Sequence, residues 1–334
     1  KMLTTSIGQG LLWAPLVIGV FLTFRILNIP DLTTEGSFPL GAAVTISAML
    51  AGQSAVTASL LGFISGCAAG WVTGMLDTKL KMPSLLAGIL TMTGLYSINM
   101  HIMGKANIPL LAQKTLMMGL PASWSPDLQT IVVGASVTLM VVIVLIWLFA
   151  TRLGLSLMAT GNNPAMSAAN GIYTDRMVII GYMLSNGLIA LSGGLIAQSN
   201  GYADIGMGIG TIVIGLASVL VGEIFLHGRQ MWVRLTGMVV GAIVYRYLLT
   251  LAMGLGFPVN DLKILSAVIL VIVICLPLLQ DKYRTKRQLR RYLKEIGVDQ
   301  YATTSHSERT TLTKGLLSGN QQRAARLKGR ESND

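Results

Sequence analysis

The chain has 334 residues, of which 52% are hydrophobic and only 12% are charged, and its mean hydropathy is +0.65. Because soluble domains carry about 25% charged residues, this composition excludes an ordinary soluble protein and predicts a polytopic membrane protein. The net charge of +11 does not favour a nucleic-acid partner, since much of the excess lies between Lys282 and Lys294, directly after the last apolar run. Such a block is typical of positive charge retained in the cytoplasm.

Apolar runs divide the chain into membrane spans, each of which needs about 20 residues. A polar break at 28–39 separates the first span from a shorter second span that ends at Ala51. The prolines of 104–127 indicate a loop with room for one short surface helix. The predicted fold is an all-α polytopic membrane protein with about nine transmembrane helices, at 7–27, the short run up to 51, 55–76, 85–103, 128–150, 177–198, 208–225, 235–255 and 264–279.

Basic residues predict how these spans are oriented. In a nine-span arrangement the basic loop residues fall on one side, whereas the opposite loops 200–204 and 256–261 carry almost none. By the positive-inside rule the basic side is cytoplasmic, so the C-terminus is predicted inside and the N-terminus outside. We therefore expect a transmembrane domain at 1–281 and a basic, largely polar cytoplasmic tail at 282–334 that can hold anionic lipid head groups at its start. The basic residues are Lys79, Lys81, Arg152, Arg176, Arg229, Arg234 and the block after Asp281.

A glycine stripe in the third span predicts close helix packing. Gly62, Gly66, Gly70 and Gly74 recur at every fourth position and therefore lie on one face of the helix. A neighbouring backbone can approach such a face closely, which is the small-residue packing that membrane helices use.

Polar and ionisable residues within or beside spans are candidates for a translocation pathway, because burying them in lipid is expensive. Irregular backbone at membrane depth is tolerated only where protein buries it or water reaches it. The polar break fits two interpretations, a lining of a translocation cavity and a simple cytoplasmic turn. The alternative roles for the charged members are an internal salt bridge or a head group that snorkels to the interface. The pathway candidates are Asp31, Thr34, Glu35, Ser37, Tyr182, Asn186 and Arg246.

Residues suited to catalysis do not cluster in this sequence. The three histidines, His101, His227 and His306, have no carboxylate or cysteine at the spacing of metal ligands. A GxxxxGK[ST] motif is missing, so the chain does not bind ATP through a phosphate-binding loop of its own. We expect no enzymatic activity, no metal site and no bound cofactor.

A polar segment at 151–176 lies between two long apolar runs and reads as a short surface helix with both ends specified. Asn162 and Asn163 can cap free amide groups, Pro164 suits the first helical position, and Gly171 suits a left-handed stop. Because the polar ends of such a helix need water or a partner, it must lie at the membrane surface. The charge pattern places it on the cytoplasmic side.

Three segments resemble one family. IPDLTTEGSFPLGAAV at 29–44, TRLGLSLMATGNNPAMSAANGIYTDR at 151–176 and the glycine-rich run 206–241 are similar to permeases of ATP-binding cassette (ABC) importers of the ribose and branched-chain amino-acid type. DLTTEGSFPLGAA, followed by LLAGILTMTGLYSINMHIMGKANIPLL, most resembles the subfamily described as tryptophan/tyrosine transport permeases. One departure is Gly222-Glu223, where ribose-type relatives often have two glycines.

The resemblance implies a type II-like importer permease bundle in the bacterial inner membrane, dimeric with a second permease copy and surrounded by lipid. It implies two copies of a cytoplasmic ATP-binding subunit that hold ATP and Mg, and an extracytoplasmic substrate-binding protein or lipoprotein. An amino acid, with an aromatic one favoured, is the implied substrate. The alternatives are a sugar or nucleoside, or a secondary transporter or channel without an ATPase. The residues implied to couple to the ATPase are Asn162, Asn163, Pro164, Ala165, Met166, Ala168, Ala169, Asn170 and Gly171.

Overall fold

The computed structural model describes residues 2–110, 114–119, 121, 123–226, 230–254 and 264–271. Its described part is helical apart from short connections and one pair of strands. The helices are α1 (Met2–Phe21), α2 (Thr34–Leu50), α3 (Ala55–Thr78), α4 (Ser84–Met103), α5 (Pro126–Ala150), α6 (Arg152–Asn162), α7 (Pro164–Ala169), α8 (Thr174–Asn200), α9 (Thr211–Phe225) and α10 (Met231–Gly254).

The all-α membrane fold is confirmed, and the span count of nine is approximate. Seven helices of the described part are long and apolar enough to cross a membrane. The second predicted span is α2, which has only 17 residues, and the helical residues 264–271 belong to the ninth. The remainder of the ninth span and the tail at 282–334 lie outside the described residues, so the domain boundary at 281 stays a prediction.

Charged residues bring several helix ends together at one end of the bundle. Arg25, after α1, forms an ion pair with Glu223 near the end of α9. The guanidinium of Arg234, in the first turns of α10, lies 4.9 Å from the centre of the Phe21 ring. At this same end of the bundle, Lys79, which follows α3, lies 3.4 Å from Asp175 at the start of α8. We call this the basic end of the bundle.

Three glycines of the α3 stripe pack on the backbone of α8, and the fourth, Gly62, packs on α2. A Cβ atom added at Gly66 would lie 2.3 Å from the carbonyl oxygen of Asn186, and one added at Gly70 would lie 2.2 Å from that of Tyr182. At Gly74 the nearest atom would be the Cα of Ile179, at 2.9 Å, and at Gly62 the hydroxyl of Thr45, at 2.6 Å. Since real Cβ atoms do not approach backbone so closely, only glycine allows these two helices their observed separation.

Helix α2 begins inside the bundle instead of at its basic end. It runs parallel to α8, because Ser37 contacts Asn186 while Gly41 and Thr45 contact residues four and eight positions further along α8. Asn186 follows the start of α8 by about 18 Å at 1.5 Å per residue. The first turn of α2 is therefore surrounded by protein, and most of its residues are buried.

Helix α9 also begins inside the bundle, after an extended segment that sequence reasoning missed. Strand β1 (Asn107–Pro109) pairs antiparallel with β2 (Tyr202–Asp204), and a 3₁₀ turn at Ile205–Gly208 leads to α9. An added Cβ at Gly208 would lie 2.0 Å from the carbonyl oxygen of Glu35, so this segment packs against the start of α2. The loop predicted for 104–127 contains β1 and, in its described residues before α5, a single short helical turn, the 3₁₀ turn at Met117–Gly119.

Candidate functional site

The polar segment 151–176, here the coupling segment, contains the short helix that its sequence predicts. In α7 the side chain of Asn163 accepts the N–H of Met166 at 3.0 Å, and Pro164 occupies the first position. Gly171 has φ +80°, which satisfies the left-handed stop. The prediction for Asn162 is wrong in one respect, because this residue ends the preceding helix and Asn163 alone caps α7.

That preceding helix, α6, was missed by sequence reasoning. Thr151 caps it through a hydrogen bond from the N–H of Gly154 at 3.5 Å. Gly154 packs against the backbone of α5, with an added Cβ only 2.4 Å from the carbonyl oxygen of Leu148, while Leu157 is buried. At Gly161 an added Cβ would lie 1.7 Å from the carbonyl oxygen of Ile26. These three inward-facing residues are spaced i, i+3 and i+7, which is the pattern of an amphipathic helix. The pattern is hard to recognise in the sequence because two glycines within eight residues lower the helix propensity.

The outer surface of the coupling segment is exposed and partly apolar. Every residue of α7 except Ser167 is exposed, and three of its six residues are alanines. Met166 and Tyr173 expose 57% and 69% of their surface, and Leu153 and Leu155 of α6 are also exposed. An exposed apolar patch with polar surroundings is typical of a surface that docks a protein partner.

Only the first half of the polar break predicted at 28–39 is irregular, because residues 34–39 form the first turns of α2. The irregular loop at residues 27–33, here the break loop, touches the coupling segment. A π-helical turn at Leu22–Ile26 ends α1, and Asn28 then takes a left-handed conformation with φ +56°. The side-chain amide of Asn28 donates a hydrogen bond to the carbonyl oxygen of Gly161 in α6, at 3.1 Å. The break loop is therefore held by protein, and α6 connects it to α7.

At its other end the break loop is anchored by a buried carboxylate. Asp31 is only 3% exposed and accepts two hydrogen bonds, one from the backbone N–H of Thr33 at 2.9 Å and one from the side-chain amide of Asn186 at 2.8 Å. The amide oxygen of Asn186 accepts a hydrogen bond from Ser37 of α2 at 2.7 Å. Asn186 thus joins the break loop, α2 and α8 through one side chain.

Further hydrogen bonds extend this network to α3. The hydroxyl of Tyr182 donates to Asp77 at 3.0 Å, and the hydroxyls of Thr33 and Thr73 lie 2.9 Å apart. Thr34 donates to the carbonyl oxygen of Asp31 at 3.1 Å. Buried polar groups that are satisfied in this way specify one arrangement of the surrounding elements. Five predicted pathway residues meet in this buried network, namely Asp31, Thr34, Ser37, Tyr182 and Asn186.

The two remaining pathway candidates lie elsewhere. One carboxylate oxygen of Glu35 accepts the backbone N–H of Gly210, just before α9, at 2.9 Å. Arg246 of α10 lies over the ring of Trp13 in α1, with 4.3 Å between its guanidinium carbon and the ring centre. Within the described part of the chain, no group of three or more histidine, cysteine or acidic residues could hold a metal ion.

Comparison with known proteins supplies the context for this geometry. The family described as "Branched-chain amino acid transport system / permease component" matches residues 2–274. Over 264 residues the chain is 39% identical to the tyrosine transport system permease protein of Clostridioides difficile (strain R20291), an alignment that covers 79% of this chain and 87% of the relative.

More distant matches extend the comparison. The chain is 30% identical over 241 residues to the autoinducer 2 import system permease protein LsrC of Yersinia pseudotuberculosis serotype O:3 (strain YPIII), which covers 70% of this chain and 64% of the relative. A solved structure, "PsaBC from Streptococcus pneumoniae in complex with Fab", aligns with 14% sequence identity over 82% of this chain and 89% of the chain in that structure. Its TM-score of 0.45 is too low to support a conclusion.

Proposed function

The chain belongs to the permease-component family of branched-chain amino acid transport systems, and on that premise we propose that it imports an aromatic amino acid. Family membership makes it a multi-pass membrane permease subunit of an ABC importer and not an enzyme, with ATP hydrolysed by a separate subunit. The name of the Clostridioides difficile relative supports tyrosine as the first substrate to test. The relative that imports autoinducer 2 supports a non-amino-acid solute as the second candidate.

The proposed complex contains two permease copies and two cytoplasmic ATPase subunits that hold ATP and Mg. An extracytoplasmic substrate-binding protein or lipoprotein delivers the solute, and lipid surrounds the bundle. The N-terminus lies outside and the C-terminus in the cytoplasm, which puts the basic end of the bundle on the cytoplasmic side. ATP binding closes the ATPase subunits, and the permease dimer then alternates between outward- and inward-facing states.

The observation that carries the coupling assignment is the exposed helix α7 on a rigid support. Its exposed residues, from Asn163 to Gly171, form the proposed docking surface for the ATPase, with Asn162 beside them at the end of α6. Helix α6 packs on the backbone of Ile26 through Gly161, with no side chain between them to absorb movement. Movement of α7 therefore reaches the break loop, and the network of Asp31 and Asn186 passes it on to α2 and α8.

Replacement of Ala165 or Ala169 by arginine tests this assignment. Both alanines are exposed on α7, so a bulky charge there leaves the bundle intact but obstructs a close partner. We expect the permease to lose coupling between ATP hydrolysis and tyrosine uptake in proteoliposomes that contain the complete importer. Gln53→Arg is the matched control, because Gln53 is exposed in the loop between α2 and α3 and should leave coupling unchanged. Wild-type coupling in both alanine variants would show that α7 does not dock the ATPase.

Purification tests the partner itself. When the permease and a nucleotide-binding subunit of its own importer are expressed together, the two should co-purify in detergent. A permease that takes up solute in liposomes without any ATPase subunit would instead be a secondary transporter or channel.

A further inference from the structure

Helices α2 and α9 begin side by side within the bundle. Their contact is the hydrogen bond from the N–H of Gly210 to Glu35, together with the packing of Gly208 on the backbone of Glu35. The first amides of α2 are satisfied locally, because Glu35 donates to the carbonyl oxygen of Leu32 and the next two residues donate to that of Thr33.

A cavity of about 250 Å³ lies beside this junction. Pockets for drug-sized ligands usually have about 300–1,000 Å³, so this cavity suits a small solute or one end of it. Its walls come from the start of α2, from α4 and from the segment before α9. Its lining includes Glu35, Met92, Thr93, Tyr96, Asn99 and Ile209.

Two side-chain acceptors line the cavity, the carboxylate of Glu35 and the amide oxygen of Asn99. Glu35 is half-buried. The ion pairs in the described part of the chain join other residues, so no described cation forms an ion pair with Glu35. Asn99 is 1% exposed; its amide nitrogen donates to the carbonyl oxygen of Gly36 at 3.2 Å, while its amide oxygen has no partner among the described residues. A buried acceptor without a partner is costly, and an ionisable side chain within a membrane bundle marks a candidate functional site by default.

The neighbouring face of α4 is polar although it is exposed. Thr93, Ser97 and His101 follow one another at four-residue spacing, and Tyr96 lies beside them with 55% of its surface exposed. The hydroxyl of Thr93 donates to the carbonyl oxygen of Ile89 at 2.8 Å. In contact with hydrocarbon, Tyr96 and His101 would have no water to satisfy their polar groups. This face of α4 therefore meets water or another protein surface, and the cavity opens next to it.

We propose that the cavity is a binding site for the ammonium group of the transported amino acid, with Glu35 as its counter-ion and Asn99 as a second acceptor. The ring of Tyr96 adds an aromatic face, which attracts cations, and Met92 and Ile209 supply apolar walls for the rest of the solute. This inference rests on the proposed function as an amino-acid importer. It adds a site on the permease itself, where the solute is held after the binding protein releases it.

Glu35 also has a structural role, as the acceptor that holds the start of α9. The substitution Glu35→Gln separates the two roles, because glutamine keeps the volume and an oxygen that accepts the N–H of Gly210 but removes the charge. In proteoliposomes with the complete importer and its loaded binding protein, we expect tyrosine uptake to fall roughly 10- to 100-fold, the usual effect of losing a hydrogen bond to a charged group. ATP hydrolysis should persist, since the coupling segment is unaltered. Asp127→Asn is the matched control, because Asp127 lies at the start of α5 and not in this cavity; its uptake should equal that of the wild type.

A labelling experiment gives the answer even if Glu35→Gln does not assemble. Thr93→Cys places a thiol at the cavity, and the importer in nanodiscs is treated with a small thiol reagent and analysed peptide by peptide. Tyrosine and tyramine, which both carry an ammonium group, should slow labelling at position 93. The deaminated analogue 3-(4-hydroxyphenyl)propionate should not, and labelling of native Cys67 should be the same in all samples.

The outcomes are distinguishable from failure of the proposed function. The ammonium site would be overturned if Glu35→Gln took up tyrosine as well as the wild type does. It would also be overturned if all three compounds, or none of them, protected position 93. In either case the importer assignment would remain intact. If the wild-type importer takes up no tyrosine or other amino acid in the same vesicles, the substrate class of the proposed function is wrong, and the ammonium site is overturned with it.

Discussion

The coupling segment and the buried network around Asn186 are adjacent along the proposed path of movement, yet they are built differently. The coupling segment is exposed, and its attachment to the bundle depends on close backbone contact through Gly154 and Gly161. The network is buried, and directional hydrogen bonds hold it: Asn186 donates to Asp31, and Ser37 and Tyr182 donate to Asn186 and Asp77. One region is fixed by shape and the other by polar partners.

The two regions should tolerate different substitutions. Water can satisfy a polar group at the exposed surface, so the coupling segment should accept polar changes without loss of stability. In the network, removal of one partner leaves another buried group unsatisfied, which costs about 1–3 kcal/mol and more for a charged group. Added volume should have the strongest effect where backbones touch, because cores resist overpacking.

The largest effect is expected at Gly161, where the two regions meet. Its replacement by alanine puts a Cβ atom 1.7 Å from the carbonyl oxygen of Ile26, so α6 must separate from the break loop. We expect the free energy of unfolding to fall by about 3 kcal/mol and uptake to be lost. Thermal unfolding in detergent and uptake in proteoliposomes measure the two effects. Gly94→Ala in α4 is the control, because nothing lies within 4 Å of its added Cβ. If neither substitution changed stability, close backbone contact at Gly161 would not be what attaches α6.

A matched pair of asparagines compares the two regions directly. Asn186→Leu leaves Asp31 and Ser37 without their partner and should lower the free energy of unfolding by about 2–3 kcal/mol. Asn170→Leu makes the same chemical change at the exposed end of α7 and should alter stability by less than about 0.5 kcal/mol. Denaturant titration of both variants provides the measurement. Equal losses would mean that hydrogen bonding does not distinguish the network from the coupling segment.

A smaller effect is expected at Asn28, which connects the two regions. Asn28→Gly keeps the left-handed backbone but removes the hydrogen bond to Gly161, which should lower the free energy of unfolding by about 0.5–1.5 kcal/mol. Because this bond lies on the proposed path, coupling of ATP hydrolysis to uptake should weaken more than stability does. Parallel assays of hydrolysis and uptake check this, and full coupling in Asn28→Gly would remove the bond from the path.

The smallest effect is expected for the exposed pair of Lys79 and Asp175. Both side chains are more than half exposed, so Lys79→Ala should change the free energy of unfolding by less than about 0.5 kcal/mol. A thermal shift at low and high salt tests this expectation. A large, salt-sensitive loss would indicate that charge contributes to the attachment of α8 at the basic end.

Sequence reasoning reached most of the fold because long apolar helices carry their own signal. Helices α3, α4 and α5 begin and end within two residues of the predicted spans. The ends of α7 were also predicted from local signals, because Asn163, Pro164 and Gly171 take the capping, first-turn and left-handed positions that their chemistry favours. Asn162 was misassigned because two adjacent asparagines are equivalent by propensity, and only the end of α6 separates them.

The pairings between distant segments could not be obtained in this way. Asn186 looked like one polar residue in a span, and nothing local indicated that Asp31 and Ser37 meet it. Strand β1 is three residues long, and its partner lies almost 100 residues later in the chain. The cavity beside Glu35 likewise needs three separate segments to be brought together.

By itself the sequence determined that this is a helical membrane protein, where most of its helices lie, and that a capped polar helix separates two spans. These properties follow from local hydropathy, spacing and capping, each of which is set within a few turns of chain. Only the tertiary structure decided that α6 lies against the break loop, that Asn186 ties three elements together, and that α2 and α9 begin at one junction. Close glycine contacts and buried hydrogen bonds join residues far apart in the chain, so their effect exists only after the helices have packed.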